Sequence, residues 1–175
     1  MGFIQPCFIR KNTPELKKKL EELGYKPFGS VKYEWDTGWG LSTDNRLGEF
    51  ESFDNNGLEN IIKCESPDYE DSIDCGTNEE LFLALAALRN DSDYMQWFVV
   101  PKTRTKQMSG CFGQTIGMDG HYKEIVGYEW YRHENKDNAL TEKLNAMLQM
   151  EVDDIEFLPH KATVEEIIEY FRNKK

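Results

Sequence analysis

Residues 72–88 read SIDCGTNEELFLALAAL, and this stretch decides the fold. The β-prone segment from Ser72 to Cys75 predicts a short strand that Gly76 ends. Thr77 and Glu80 have the spacing of a capping box, which predicts that a helix begins there. Residues 81–88 are apolar on every side. A helix without a polar face must be surrounded by protein, so we predict that this one is the central core helix.

The same order of strand, threonine and helix occurs twice more. Residues 3–10 are rich in β-formers, and Thr13 is a good N-cap for an amphipathic helix that ends near Gly24. Near the other end of the sequence, Thr163 and Glu166 repeat the capping-box spacing ahead of an apolar stripe. The sequence therefore predicts three βα units, at Thr13, Thr77 and Thr163.

The remaining segments complete the predicted architecture. Asn138 to Met150 has the composition and periodicity of a fourth helix. Further strand-like segments lie at 31–35, 47–53, 95–100, 122–131 and 155–158. Residues 102–121 are glycine-rich and predict a long mobile loop or a loose hairpin tip. We expect an α+β domain over 1–175, with one mixed, mostly antiparallel sheet of about five to seven strands and about four helices.

The formal net charge of -11 comes almost entirely from one stretch of the chain. Residues 44–80 hold twelve acidic side chains and two basic ones. A field of this sign repels nucleic acid and attracts basic surfaces, so we expect a basic protein surface as partner and no direct nucleic-acid binding. The alternative is a solvated face that keeps the protein soluble. The predicted binding residues are Glu65, Asp68, Glu70, Asp71 and Asp74.

The four cysteines and the apolar runs indicate a cytoplasmic protein. Without a secretory signal, Cys7, Cys64, Cys75 and Cys111 are interpreted as reduced thiols, and their wide spacing predicts no metal site. Cys75 lies just before a predicted helix, where the dipole could lower its pKa, but a small buried side chain is the favoured interpretation. The apolar run 81–88 falls short of the roughly 20 residues of a membrane span.

Residues 108–121, MSGCFGQTIGMDGH, carry the alternative hypothesis. This segment lacks the Gly-Lys-Ser/Thr of a phosphate loop, so we expect no nucleotide and no other cofactor. Cys111, Asp119 and His121 are the nearest approach to an acid–base or Cys/His group in the sequence. They would make the protein an enzyme or a small-ligand-binding protein with a pocket near this loop.

Histidines and aromatic residues leave less specific signals. His133 stands in a polar run and predicts a surface residue, and His160 predicts a loop residue with one hydrogen bond. The many tryptophans and tyrosines are expected mainly in the core. If several lined one exposed groove instead, they would mark a ligand or partner site.

Three segments carry a resemblance: PCFIRKNTPELKKKLEELGY at 6–25, IDCGTNEELFLALAALRNDSDYMQWF at 73–98 and HKATVEEIIEYF at 160–171. They resemble small uncharacterised proteins of gut bacteria and of their phages and mobile elements. The resemblance implies a modular bacterial or phage-associated cytoplasmic protein and brings no activity or catalytic residue with it. The leading hypothesis is a non-catalytic interaction module whose acidic stretch, 44–80, docks on a basic partner.

Overall fold

The structure is a computed structural model that describes residues 4–28, 40–44, 48–54, 56–57, 59, 71–107, 121–134 and 159–174, with the backbone alone at 105–107 and 121–123. The described strands are β1 (Cys7–Ile9), β2 (Lys26–Pro27), β3 (Gly40–Asp44), β4 (Glu49–Phe53), β5 (Ile73–Asp74), β6 (Trp97–Gln107), β7 (His121–Arg132) and β8 (His160–Lys161). The described helices are α1 (Pro14–Glu22), α2 (Glu79–Ala86) and α3 (Val164–Asn173). The predicted α+β class is confirmed.

Five of the strands form one sheet in the order β2-β4-β3-β1-β5. The hairpin of β3 and β4 is antiparallel and places Leu41 opposite Ser52. Strand β1 pairs antiparallel with β3 and parallel with β5, so it has hydrogen-bonded neighbours on both sides. The parallel β1–β5 pair requires a crossover, and the chain between these strands supplies α1 and the β2–β4 segment.

One face of this sheet packs on helices. Alternate residues of its strands point to this face and belong to the main hydrophobic core: Cys7, Ile9, Leu41 and Phe50. Helix α2 contacts β1, α1 and α3, and its apolar positions from Leu81 to Leu88 are buried apart from the half-buried Leu83. The prediction of a central core helix is confirmed for residues 81–86, and the helix ends at Ala86, earlier than expected, although Ala87 and Leu88 are buried as well.

The helix starts follow local chemistry. The Thr13 side chain accepts a hydrogen bond from the Leu16 amide, and Gly24 follows α1 with φ of 98°, a conformation that favours glycine. The Thr163 capping box with Glu166 is present. The predicted cap at Thr77 is wrong by one residue, because Asn78 caps α2 by accepting from the Leu81 amide at 3.0 Å. The side-chain nitrogen Nδ2 of Asn78 also donates to the Phe171 carbonyl of α3.

The other three strands form a second sheet in the order β7-β6-β8. The long β6–β7 hairpin contains a β-bulge between Lys102 and Thr103, opposite which Val126 is the extra residue. Val99 and Ala162 of this sheet region are buried in the main core, and α3 adds Ile167 and Phe171. Helix α3 therefore lies against both α2 and the second sheet.

Two parts of the predicted architecture need correction. The single sheet of five to seven strands is two sheets, of five and three strands, because strand pairing depends on long-range contacts that periodicity does not report. The predicted loop begins later than expected, since residues 102–107 continue β6 and His121 already belongs to β7.

Three helices are described; the predicted fourth at 138–150 lies outside the described residues, as do the strand predictions at 31–35 and 155–158. None of the described helices combines the length and apolarity needed to span a membrane.

Candidate functional site

A cleft of about 1440 Å³ opens where α1, α2 and the second sheet meet. The C-terminal part of α1 supplies Glu22 and α2 supplies Glu79, while the facing wall comes from the start of β6 and the end of β7. A cavity of this size with aromatic and charged walls is the default candidate for a binding site. Its described lining residues are Lys19, Glu22, Leu23, Glu79, Glu80, Leu83, Ala84, Tyr94, Met95, Trp97, Trp130, Tyr131, Arg132 and Glu134.

The wall on the sheet side contains Trp97 and Trp130, which form an aromatic cluster with Tyr170 and Phe171 of α3, outside the described lining of the cleft. Trp130 and Tyr170 are stacked, with ring centroids 4.1 Å apart and planes 19° from parallel. Trp97 meets Phe171 edge-on at 5.4 Å and Trp130 at 6.4 Å. Such ring pairs contribute about 0.5–1.5 kcal/mol each beyond their buried area. Since the cluster joins β6, β7 and α3, it holds the two tryptophans of the cleft in fixed orientations.

Cations already lie on this cluster. The Arg132 guanidinium carbon is 5.8 Å from the centroid of the Trp97 ring. The Lys174 ammonium lies 5.5 Å from the Tyr170 centroid and 5.6 Å from that of Phe171. The electron-rich faces of these rings attract positive charge. The cluster therefore accepts both guanidinium and ammonium groups.

The opposite wall is charged. Glu79, in the first turn of α2, accepts hydrogen bonds from Lys11 at 2.7 Å and Lys19 at 2.6 Å, and these two bonds lower the pKa of its carboxyl. Glu80 pairs with Lys174 at 3.5 Å. Negative charge in the first turn complements the helix dipole, and it also removes the attraction that a helix start offers to anions. Both carboxylates of this wall are therefore already paired with lysine side chains, Glu79 with two of them and Glu80 with one.

Met95 lines the cleft in an uncommon backbone conformation. Its φ of 62° lies in the left-handed region, and it is the one non-glycine residue with positive φ among those described. A left-handed residue costs about 1–2 kcal/mol for an ordinary side chain. The Met95 amide donates to the His133 carbonyl at 2.6 Å, which fixes the turn. Strain of this kind recurs at functional sites, where the surrounding structure maintains it.

A second surface carries the acidic stretch 44–80. Directly paired residues point to the same face of a sheet, so the register places Asp74, Phe8, Ser42 and Glu51 in one row across β5, β1, β3 and β4. Asp44 and its partner Glu49 lie on that face too. This face is opposite the one that packs on α1 and α2. We call it the acidic sheet face, because its described residues include Asp44, Glu49, Glu51 and Asp74.

The carboxylates on this face influence one another. Burial raises the pKa of Glu51, and the nearby charges of Asp44 and Glu49 raise it further. Two basic residues moderate the field: Arg10 pairs with Asp74 at 2.9 Å, and Lys26 stands beside Glu49 in the register. Four of the described acidic residues of the stretch therefore share one face of the first sheet, whereas Glu79 and Glu80 line the cleft.

The predicted binding residues divide between the described part of the chain and the rest. Asp71 and Asp74 are exposed; the Asp71 carbonyl accepts a hydrogen bond from Gln5, and Asp74 is paired as above. Glu65, Asp68 and Glu70 lie outside the described residues.

The alternative candidates divide in the same way. Cys111 and Asp119 lie outside the described residues, and His121 is the first residue of β7. Cys75 is buried, and contact with the Cys7 thiol together with burial raises its pKa. This agrees with the favoured interpretation of Cys75 as a small buried side chain.

The histidine predictions have opposite outcomes. His160 makes one hydrogen bond, to Glu166 at 3.0 Å, as expected, although it lies in the short strand β8. His133 is not a surface residue: it is fully buried, and neither ring nitrogen has a hydrogen-bond partner within the described part of the chain. Its burial follows from its place at the end of β7, where its amide bonds to Gln96 and its ring meets Phe98 edge-on.

Sequence reasoning missed the cleft as a site. The aromatic residues at 94, 97 and 130 are the signal in the sequence, but their pattern favours a core role over a groove. Trp97 and Trp130 do both, since they pack against the core and line the cleft. Periodicity cannot separate these roles, because it reports which face a residue is on and not what faces it.

Comparison of the chain with family models, with curated proteins and with solved structures finds no match of any kind. Among the residues that the structure describes, no group of three or more histidine, cysteine, aspartate or glutamate side chains could hold a metal ion.

Proposed function

We propose that the protein is a non-catalytic cytoplasmic interaction module that binds a basic segment of a partner protein in the cleft. The observation that supports this most is the composition of the cleft, in which tryptophan and tyrosine rings face carboxylates. Aromatic anchors surrounded by polar groups are typical of the energetic centre of an interface.

The charge of the cleft supports a basic partner. Its described lining contains four carboxylates, Glu22, Glu79, Glu80 and Glu134, and two cations, Lys19 and Arg132. Glu79, Glu80 and Glu134 already have lysine or arginine partners, so a positive ligand gains from the ring faces, from Glu22 and from any carboxylate whose internal partner it displaces. The same argument disfavours nucleic acid as a direct ligand.

The acidic sheet face has a supporting role in this proposal. A concentrated negative field raises the rate at which a basic partner is met, even where it contributes little to the final contacts. The acidic stretch and the cleft then act in sequence, the first in attraction and the second in specific binding. The alternative pocket near the 108–121 loop remains a prediction that has no support from the described residues.

Two neighbouring charges on α1 allow a matched test. Glu22 lines the cleft and Glu21 does not, and both are exposed. We expect Glu22→Lys to weaken binding of a peptide of alternating glycine and lysine or arginine by about two- to fivefold, the size expected for one exposed charge contact. Glu21→Lys makes the same change in net charge and should have the smaller effect. Isothermal titration calorimetry at low salt measures both.

Several outcomes would contradict the proposal. Equal effects of the two lysine variants would mean that the peptide senses net charge and not the cleft. Binding of a glutamate–glycine peptide as tight as that of the basic one would remove the charge argument altogether. Reversal of Glu65, Asp68, Glu70 and Asp71 to lysine tests the acidic stretch separately, through the association rate of the basic peptide in stopped-flow mixing.

A further inference from the structure

Arg132 lies where a positively charged ligand would be expected to lie. It is the cross-strand partner of Trp97 in the β6–β7 ladder, and both residues line the cleft. Its guanidinium is over the Trp97 ring, as described above. Among the described residues, the other ring contacts of Trp97 are to Trp130, Tyr170 and Phe171, which are members of its own cluster.

The same guanidinium is held by a carboxylate. Both Nε and Nη2 of Arg132 donate to Oε1 of Glu134, the first at 2.9 Å. Trp97 and Glu134 therefore offer a flat ring face and a hydrogen-bond acceptor together. This combination suits the planar, multiply donating guanidinium better than the compact ammonium of lysine.

The ion pair between Arg132 and Glu134 is weak enough for a ligand guanidinium to replace Arg132 in it. The side chains of Arg132 and Glu134 are 44% and 62% exposed, respectively. Ion pairs with this exposure contribute little to stability, because solvent screens them and because ordering two side chains has an entropic cost. A guanidinium arriving with a partner could take over the ring and the carboxylate while Arg132 turns to solvent.

We infer that the cleft recognises an arginine side chain of the basic partner and that Arg132 is its intramolecular substitute, occupying Trp97 and Glu134 until the partner displaces it. This inference rests on the proposed function and names the ligand group more narrowly. It makes Arg132 a competitor and Glu134 a determinant of specificity.

The test uses two peptides that differ only in their basic residue, each with three arginines or three lysines alternating with glycine. We expect the intact protein to bind the arginine peptide more tightly. Arg132→Gln should tighten binding of the arginine peptide by about two- to fivefold, as expected when an exposed cation–π competitor is removed. Arg104→Gln is the control, because Arg104 is exposed on β6 and pairs with Glu124, outside the described lining of the cleft. This variant should bind the arginine peptide with an affinity within twofold of that of the intact protein.

A second variant keeps the test decisive if Arg132→Gln folds poorly. Glu134→Gln changes an exposed side chain and should abolish the preference for arginine over lysine while the lysine affinity stays close to that of the intact protein. A merely structural role of the Arg132–Glu134 pair would move both peptides equally.

The results distinguish this inference from the proposed function. If neither peptide binds to the intact protein or to any variant, the proposed function fails. If both peptides bind the intact protein with one affinity, or if Arg132→Gln weakens or leaves unchanged the arginine affinity, only the role of Arg132 is overturned.

Discussion

Replacement of His133 by leucine should stabilise the protein. A neutral imidazole has one donor nitrogen and one acceptor nitrogen, and at His133 both are buried without a partner. Each buried polar group left unsatisfied costs about 1–3 kcal/mol. Leucine has a similar size and no such groups. It gives up the edge contact with Phe98, with centroids 6.3 Å apart, for which about 0.5–1.5 kcal/mol is typical.

The two nitrogens together cost about 2–6 kcal/mol, and the lost ring contact offsets about 0.5–1.5 kcal/mol, so the balance is a gain of about 0.5–5.5 kcal/mol in the free energy of unfolding. For a chain of this length each kcal/mol raises Tm by about 2–4 °C, so His133→Leu should raise it by several degrees. Urea unfolding followed by far-ultraviolet circular dichroism, with linear extrapolation to water, gives the free energy directly.

Gln96 provides the matched control. It is 1% exposed, as buried as His133, and its backbone carbonyl accepts the His133 amide. Its side-chain nitrogen, however, donates to the carbonyls of Arg89 and Ser92. Gln96→Leu removes both bonds and should lower the unfolding free energy by about 1–3 kcal/mol. If His133→Leu also destabilises the protein, the unpartnered imidazole is not the cost we attribute to it.

Three further predictions concern stability and use urea unfolding. Asn78→Ala should cost about 1–2 kcal/mol because Asn78 caps α2, whereas Thr77→Ala should change little; the reverse order would restore the cap to Thr77. Glu79 has a lowered pKa, so its contribution is present above its ordinary pKa of 4.5 and is lost as the pH falls through the lower folded value. Glu79→Gln should therefore flatten the acid side of the stability profile, and an unchanged slope would refute this. Glu51 has a raised pKa, so its contribution has the opposite sign: Glu51→Gln should stabilise the protein at pH 7, with the gain disappearing below pH 4.5.

The parts of the fold that sequence predicted are those that nearby residues determine. The Thr163 capping box needs only residues three apart, and the burial of 81–88 follows from the lack of any polar side chain in the run. The shift of the cap from Thr77 to Asn78 shows the limit of local reasoning. Asn78 can both accept from α2 and donate to the Phe171 carbonyl of α3, and that second contact is 93 residues away in sequence.

The candidate site depended on contacts that the sequence does not express. Predicting the cleft required knowing that β6 and β7 pair with Trp97 opposite Arg132, and that α3 brings Tyr170 onto Trp130. The polar neighbours of His133 in sequence indicate exposure, but its backbone hydrogen bonds with Gln96 and Met95 place it in the interior. The concentration of the acidic residues 44–80 on one surface stays a prediction: the register places Asp44, Glu49, Glu51 and Asp74 on one sheet face, but Glu79 and Glu80 line the cleft.

The interior position of β1 in its sheet has a consequence for biosynthesis. Residues 7–9 are translated before their partners at 41–42 and 73–74, which follow only after a further stretch of translation. Until then the nascent chain carries an apolar ribbon with open hydrogen-bonding positions, a form that invites aggregation. Translation halted before codon 73 should thus release a fragment that holdase chaperones retain and proteases clear.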